Sequence, residues 1–158
     1  LFGRAKNTKQ KGNVGIGVAI SHYLSEMCTV SIPINDSQDY DLVVEKGGML
    51  FKVQVKTAES KSKSGKMFRV WLSVQGGNRK KNYISKLGSD LIYDILFVVT
   101  SDGERYEIPR SAISHINRVI EVPGKYIQYR CGRSLTVEHI SATDKARFQL
   151  PAPAPKEA

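Results

Sequence analysis

The stretch YDLVVEKGGMLFKVQVKT, residues 40–57, holds two alternating apolar runs, Tyr40 to Glu45 and Met49 to Thr57, on either side of Gly47-Gly48. Gly-Gly is a preferred two-residue hairpin loop, because a type I′ turn needs positive φ at both central positions. Counting outward from that loop pairs Val44 with Phe51, Leu42 with Val53 and Asp41 with Gln54. Side chains alternate across a strand, so Leu42, Val44, Phe51, Val53 and Val55 share one wholly apolar face. The opposite face collects Asp41, Glu45, Lys52, Gln54 and Lys56, together with Val43 and Leu50. Register and polarity agree, which is the main support for a hairpin here.

Upstream, Ile16, Ala19, Ile20, Tyr23, Leu24 and Met27 recur at i, i+3, i+4, i+7, i+8 and i+11, which predicts a helix over Lys11 to Met27 with that stripe buried. Leu1 to Gln10 carries Arg4, Lys6 and Lys9 and reads as a flexible basic arm. Thr29 to Ile34 reads as a short edge strand, because Pro33 cannot donate to a ladder. Downstream, Glu59 to Lys66 is a Ser- and Lys-rich loop, Phe68 to Val74 alternates as a strand, and Gly76 to Asn82 is a basic loop. The unbroken run Ile95-Leu96-Phe97-Val98-Val99 predicts a central strand buried on both faces. After a turn at Ser101-Asp102-Gly103, Arg105 to Ile108 pairs back, and Pro109 starts a short helix over Arg110 to Ile116. Tyr126 to Tyr129 reads as a strand, Ser141 to Phe148 as a short helix, and the Pro/Ala segment 151–158 as an extended tail. The expected organisation is an arm over 1–10, one domain over 11–150 and the tail.

The 158 residues include 24 Lys and Arg against 15 Asp and Glu, a formal net charge of +9. Such an excess favours a polyanionic partner, nucleic acid before an anionic membrane surface. No apolar run approaches the ~18 residues of a membrane span, so the expectation is a soluble, cytoplasmic protein with no membrane partner. Cys28 and Cys131 are too few and too far apart for a zinc motif and are expected as reduced, mostly buried thiols. His22, His115 and His139 show no ligand spacing and are expected to be structural or surface residues. RNA is the weaker partner class, since the aromatic residues form no stacking platform.

A carboxylate facing an amide-and-lysine strand suits metal-assisted phosphodiester hydrolysis. Asp41 offers a hard oxygen to Mg2+ or Mn2+, and the Gln54 carbonyl offers a weaker one. Lys56, two residues along on the same face, would place its ammonium near the attacking water or the developing charge on phosphorus. The plainer alternative is a cross-strand polar cluster on a solvated sheet, worth a few tenths of a kcal/mol. Asp36, Asp39 and Glu59 are further acidic candidates, the two aspartates being expected as solvated loop charges.

The order Asp41, in Tyr40-Asp41-Leu42-Val43-Val44, then Gln54-Val55-Lys56 resembles the PD-(D/E)xK nuclease core in the variant where Gln replaces the second acid. The opening Gln10-Lys11-Gly12-Asn13-Val14-Gly15, the run Asp94 to Val99, and Tyr106-Glu107-Ile108-Pro109 are similar to the small group I intron homing endonucleases of that superfamily known from cyanobacteria. The resemblance covers Lys11 to Pro109. It implies an α/β (α+β) fold with a restriction-endonuclease-like core, a mixed β-sheet flanked by helices. It also implies a site-specific, Mg2+-dependent endonuclease for long double-stranded DNA, with Asp41, Gln54 and Lys56 catalytic and Asp41 and Gln54 on the metal. In relatives a Glu early in the first helix points into that site. Here Ile16 occupies the position, and a hydrocarbon binds no cation. The reading therefore predicts that Ile16→Glu strengthens cleavage. Alternatives are a Holliday-junction resolvase or restriction-type nuclease on the same core, or a catalytically silent DNA-binding module, which Ile16 favours.

For DNA, Lys9 and Lys11 at the first helix, Lys61, Lys63, Lys66 and Arg69 on one segment, and Gln75, Arg79, Lys80 and Lys81 on another are the candidate contacts. One active site cuts one strand, so duplex cleavage implies a homo-oligomer, a dimer or tetramer reading a long, partly symmetric target.

Overall fold

The structure is a computed structural model that describes residues 1–35, 38–72, 92–114 and 118–131. Helix α1, Thr8–Ser25, is followed by β1 (Thr29–Ser31), β2 (Leu42–Lys46), β3 (Met49–Ala58), β4 (Phe68–Trp71), β5 (Ile95–Thr100), β6 (Arg105–Pro109) and β7 (Val119–Val122). Five strands form one sheet in the order β1-β2-β3-β5-β6, and β4 pairs with β7 in a separate ribbon. The pairings are antiparallel except for β3 with β5, so the main sheet is mixed.

The hairpin forms as its sequence dictates. Leu42 pairs with Val53 and Val44 with Phe51, and Gly47 and Gly48 turn the chain at φ of 60° and 76°, values that side chains with a Cβ rarely adopt. Leu42, Val44, Phe51, Val53 and Val55 are all buried against α1, in a core shared with Ile95, Phe97 and Val99 of β5. β5 is buried along its whole length, as a parallel strand in the middle of a sheet must be. Its alternate residues Leu96 and Val98 face a second core with Ala58, Tyr106, Ile108 and the inner side of the β4-β7 ribbon. That face of the sheet, at β5, β6 and the end of β3, is covered among the described residues by the ribbon and the 3-10 helix Gly124–Tyr129 rather than by a second α-helix.

Helix α1 departs from its expected bounds and face. Asn7 caps it, accepting a hydrogen bond from the Gln10 N–H at 2.9 Å, while the Gln10 side chain accepts from the Lys6 N–H at 2.6 Å. This capping starts the helix at Thr8, three residues before the expected Lys11. The buried positions are Gly15, Ala19, His22 and Tyr23. Ile16 and Ile20 lie at the margin of the core, whereas Leu24 is exposed and Met27 is 93% exposed. Met27 falls beyond the helix in a left-handed conformation at φ 59°, and the Cys28 N–H bonds back to the Tyr23 carbonyl at 3.0 Å, a common helix terminator. The extrapolated period continued past a helix that had already ended.

Other elements also differ. The first residues are not a trailing arm, since Phe2 is buried in the α1 core and α1 already opens at Thr8. Tyr126 to Tyr129 is part of a 3-10 helix, not a strand. The helix expected after Pro109 is a single 3-10 turn, Arg110–Ala112. β7 was not anticipated. Its short run is paired by β4, a partner about fifty residues away in sequence. The Gly76 to Asn82 loop, the Ser141 to Phe148 helix and the 151–158 tail lie outside the described residues. No helix among the described residues is long and apolar enough to cross a membrane.

Candidate active site

The site grows out of the place where β2 stops and β3 continues. On the β5 side, Lys52 exchanges hydrogen bonds with Asp94. The Asp94 N–H donates to the Lys52 carbonyl at 2.8 Å, and the Lys52 N–H donates to Asp94 Oδ2 at 2.7 Å. Backbone groups alternate sides along a strand, so those of Val53 and Val55 point the other way, toward β2. The Val53 carbonyl is met by the Asp41 N–H at 2.8 Å. β2 begins at Leu42, however, and leaves no strand partner for Val55. Buried backbone groups need partners, and two side chains supply them. Asp41 Oδ2 accepts from the Val55 N–H at 2.7 Å, and Gln54 Nε2 donates to the Val55 carbonyl at 3.2 Å. Gln54 Nε2 also donates to Asp41 Oδ2 at 2.5 Å, which joins the two headgroups.

Asp41 and Gln54 are thus brought together as the register implied, although through side chains bent around a strand end rather than through a ladder pair. Lys56 lies on the same face of β3 as Gln54, beside Asp41. Burial raises the Asp41 carboxyl above its ordinary range, partly offset by the Val55 N–H, the Lys56 charge and the Gln54 amide. Burial likewise lowers the Lys56 ammonium, and the Asp41 charge partly restores it. A carboxylate and a lysine that are both partly desolvated and adjacent form a pair of the kind found at functional sites and in structural ion pairs alike.

The donor set fits a hard divalent cation. Asp41 Oδ2 is engaged by two N–H donors, which leaves Oδ1 for an ion. The Gln54 amide presents its nitrogen to Asp41 in this arrangement, and a half-turn about its last bond would present the carbonyl oxygen instead. Both are oxygen ligands of the kind Mg2+ takes.

Ile16 is half-buried on α1 and packs at the edge of the core between helix and sheet. Its neighbour Gly15 lies directly on β3, where a Cβ would come within 2.6 Å of Thr57 Cγ2 and 3.4 Å of Val55 Cγ1. The other acidic candidates find ordinary roles. Glu59 pairs with Lys11 at 2.5 Å, and Asp39 is buried rather than solvated, while Asp36 lies outside the described residues. Asp94 was missed as a positioning residue. Its placement just before a buried strand was visible, but its partner, the Lys52 N–H, is set by a parallel pairing that no local pattern encodes.

Of the basic candidates, Lys9 is exposed on the first turn of α1, and Lys63 and Lys66 are exposed in the turn before β4. Lys61 places its Nζ 5.4 Å from the Phe68 ring centre. Arg69 points outward from β4 with its guanidinium 5.4 Å from the ring of Trp71, itself 56% exposed. Gln75, Arg79, Lys80 and Lys81 lie outside the described residues.

A family model described as PD-(D/E)XK endonuclease matches residues 6–121. The solved structure of a bacterial homing endonuclease, I-Ssp6803I, is similar with a TM-score of 0.64 and 25% sequence identity, over 78% of this chain and 88% of that one. No curated protein sequence matches. The family match takes in well over half of the chain and all five strands of the main sheet, and the fold, a mixed sheet of restriction-endonuclease type, agrees with it. The chain belongs to the PD-(D/E)XK endonuclease family.

Proposed function

We propose that this endonuclease is of the homing type, a Mg2+-dependent enzyme that cuts a long, specific double-stranded DNA site as a homo-oligomer. The observation that carries the reading is the Asp41, Gln54 and Lys56 group at the end of β2, where a half-buried carboxylate, a buried amide and a lysine converge. The likeness to a homing endonuclease over most of both chains supports the choice of substrate class.

In this reading Asp41 and Gln54 hold the cation, which supplies Lewis acidity at the phosphate and makes bound water easier to ionise. Asp41 is held in place by the Val55 N–H, so its free oxygen is aimed before substrate arrives. Lys56 holds a proton next to that carboxylate. Its ammonium stabilises the extra negative charge that develops as water attacks phosphorus, and desolvation makes that interaction stronger than in bulk water. The exposed cations around β4 hold the DNA backbone, and Arg69 with Trp71 offers a groove-facing edge.

A second reading, a DNA-binding module without chemistry, is favoured by Ile16 alone. The two are separated by incubating the parent chain, Lys56→Ala and Ile16→Glu with a pool of long randomised duplexes, in Mg2+ or EDTA, and sequencing the cut ends. The expected result is Mg2+-dependent ends sharing a long, partly symmetric motif, absent with Lys56→Ala and more abundant with Ile16→Glu. Cutting confined to branched DNA would point to a junction resolvase, and a short palindrome to a restriction-type enzyme. Tight binding without cutting by any version would leave the silent module.

A further inference from the structure

On the α1 side of the sheet, the face opposite that of Gln54 and Lys56, three side chains from distant parts of the chain converge. His22 comes from the last turns of α1, Glu107 from the outer strand β6, and Cys131 from the segment that follows the 3-10 helix. One ligand atom from each, an imidazole nitrogen, a carboxylate oxygen and a thiol sulfur, lies within 4.8 Å of the other two. His22 and Glu107 are only 7% and 4% exposed. His22 Nε2 is 3.5 Å from Glu107 Oε1, too far for a good hydrogen bond, and it is buried without a hydrogen-bond partner, as is the adjacent Tyr23 hydroxyl.

Buried polar groups are almost always satisfied, so an unpartnered imidazole aimed at a buried carboxylate and a thiol requires a reason. From these residues we propose a three-ligand metal site for a thiophilic divalent cation of the Zn2+ class, held by His22, Glu107 and Cys131 with a water completing the tetrahedron, and clamping α1 to the outer edge of the sheet. The donor set decides the class. Nitrogen, oxygen and sulfur together suit Zn2+ and related transition ions, whereas Mg2+ and Ca2+ take oxygen alone. The spacing agrees, since nitrogen and oxygen on two vertices of a tetrahedral zinc site stand about 3.3 Å apart for bond lengths near 2.0–2.1 Å. The Cys131 backbone is already tied to β6, its N–H donating to the Arg105 carbonyl at 2.8 Å, so the sulfur has only its side-chain torsion to adjust.

The ion would also remove an electrostatic conflict. Burial and the Glu107 charge push the metal-free Cys131 thiol up to about 12, and the same two causes raise the Tyr23 hydroxyl. A divalent cation would be taken up as the thiol gives up its proton, and it would neutralise the carboxylate. The Tyr23 O–H would then remain to hydrogen-bond a ligand atom. The site is separate from Asp41 and does not depend on the catalytic reading.

The test uses the full chain carrying Asp41→Asn, so that the proposed Mg2+ site lacks its carboxylate ligand. After treatment with chelator it is titrated with Co2+, and then with Zn2+ in competition, while the thermal midpoint is followed. The expected result is one ion per chain, with a thiolate-to-cobalt charge-transfer band that Zn2+ abolishes and an upward shift of the midpoint. Cys131→Ser removes the band, and His22→Gln weakens binding at least tenfold. Absence of a thiolate band in the folded Asp41→Asn chain overturns the proposal whatever the other variants do. A band that survives Cys131→Ser also overturns it, because the sulfur would then come from elsewhere.

Discussion

At the scale of single residues, the candidate active site works by the same burial that makes it costly. The Asp41 carboxyl is raised and the Lys56 ammonium lowered by desolvation, each partly restored by the other. If cleavage needs Lys56 protonated, the rate falls as pH rises through the depressed lysine value, and the alkaline limb of kcat/KM should therefore lie below the ordinary lysine value near 10.4. Lys56→Arg, which stays charged throughout, should lose the alkaline limb. A limb unchanged in that variant would assign it to another group. The pairing of Asp41 with Gln54 was legible because it follows from counting outward from Gly47-Gly48. The hydrogen bond from Val55 was not, since it exists only because β2 ends before it reaches Val55.

Among the elements, α1 offers the sharpest test. Gly15 is buried where the helix meets β3, and an added Cβ would lie 2.6 Å from Thr57 Cγ2, whereas Gly17, two residues on, has nothing within 4 Å. Gly15→Ala should destabilise the protein by about 1–3 kcal/mol, because the contact is overpacked. Gly17→Ala should stabilise it by about 1 kcal/mol through helix propensity alone. Denaturant melts of the two variants check this, and equal shifts would contradict the placement of the helix. The same geometry explains why the apolar stripe misled. Small Gly15 and Ala19, with His22 and Tyr23, form the buried seam, and hydrophobic periodicity gives no weight to a glycine or a histidine. The Tyr126 to Tyr129 run misled similarly, because four residues rich in aromatic and branched side chains fit a strand or a buried turn equally well.

For the whole molecule, the net charge of +9 and the exposed cations before and on β4 predict salt-dependent DNA binding. If Lys63, Lys66 and Arg69 each meet a phosphate, every change to Ala should reduce the slope of log affinity against log salt by about 0.9. Titrations at several salt concentrations measure this, and an unchanged slope would place those side chains in solvent. Light scattering of the DNA-bound protein should give at least a dimeric mass, as cutting two strands requires. A monomeric mass would contradict the proposed assembly.

What the sequence determined by itself was short-range and repetitive. The hairpin, its two faces and the meeting of Asp41 with Gln54 follow from a period of two and a turn that demands glycine, and the burial of β5 follows from an unbroken apolar run. What only the tertiary structure decided was long-range. The parallel pairing of β3 with β5 made Asp94 a positioning residue, the ribbon of β4 and β7 gave the polar face of the sheet a second core, and the docking of α1 brought His22 to Glu107 and Cys131. Such contacts join residues whose separation along the chain carries no signature. They arise when each apolar face finds the surface that buries it, and the polar groups carried inward must then be satisfied by whichever neighbours that packing supplies.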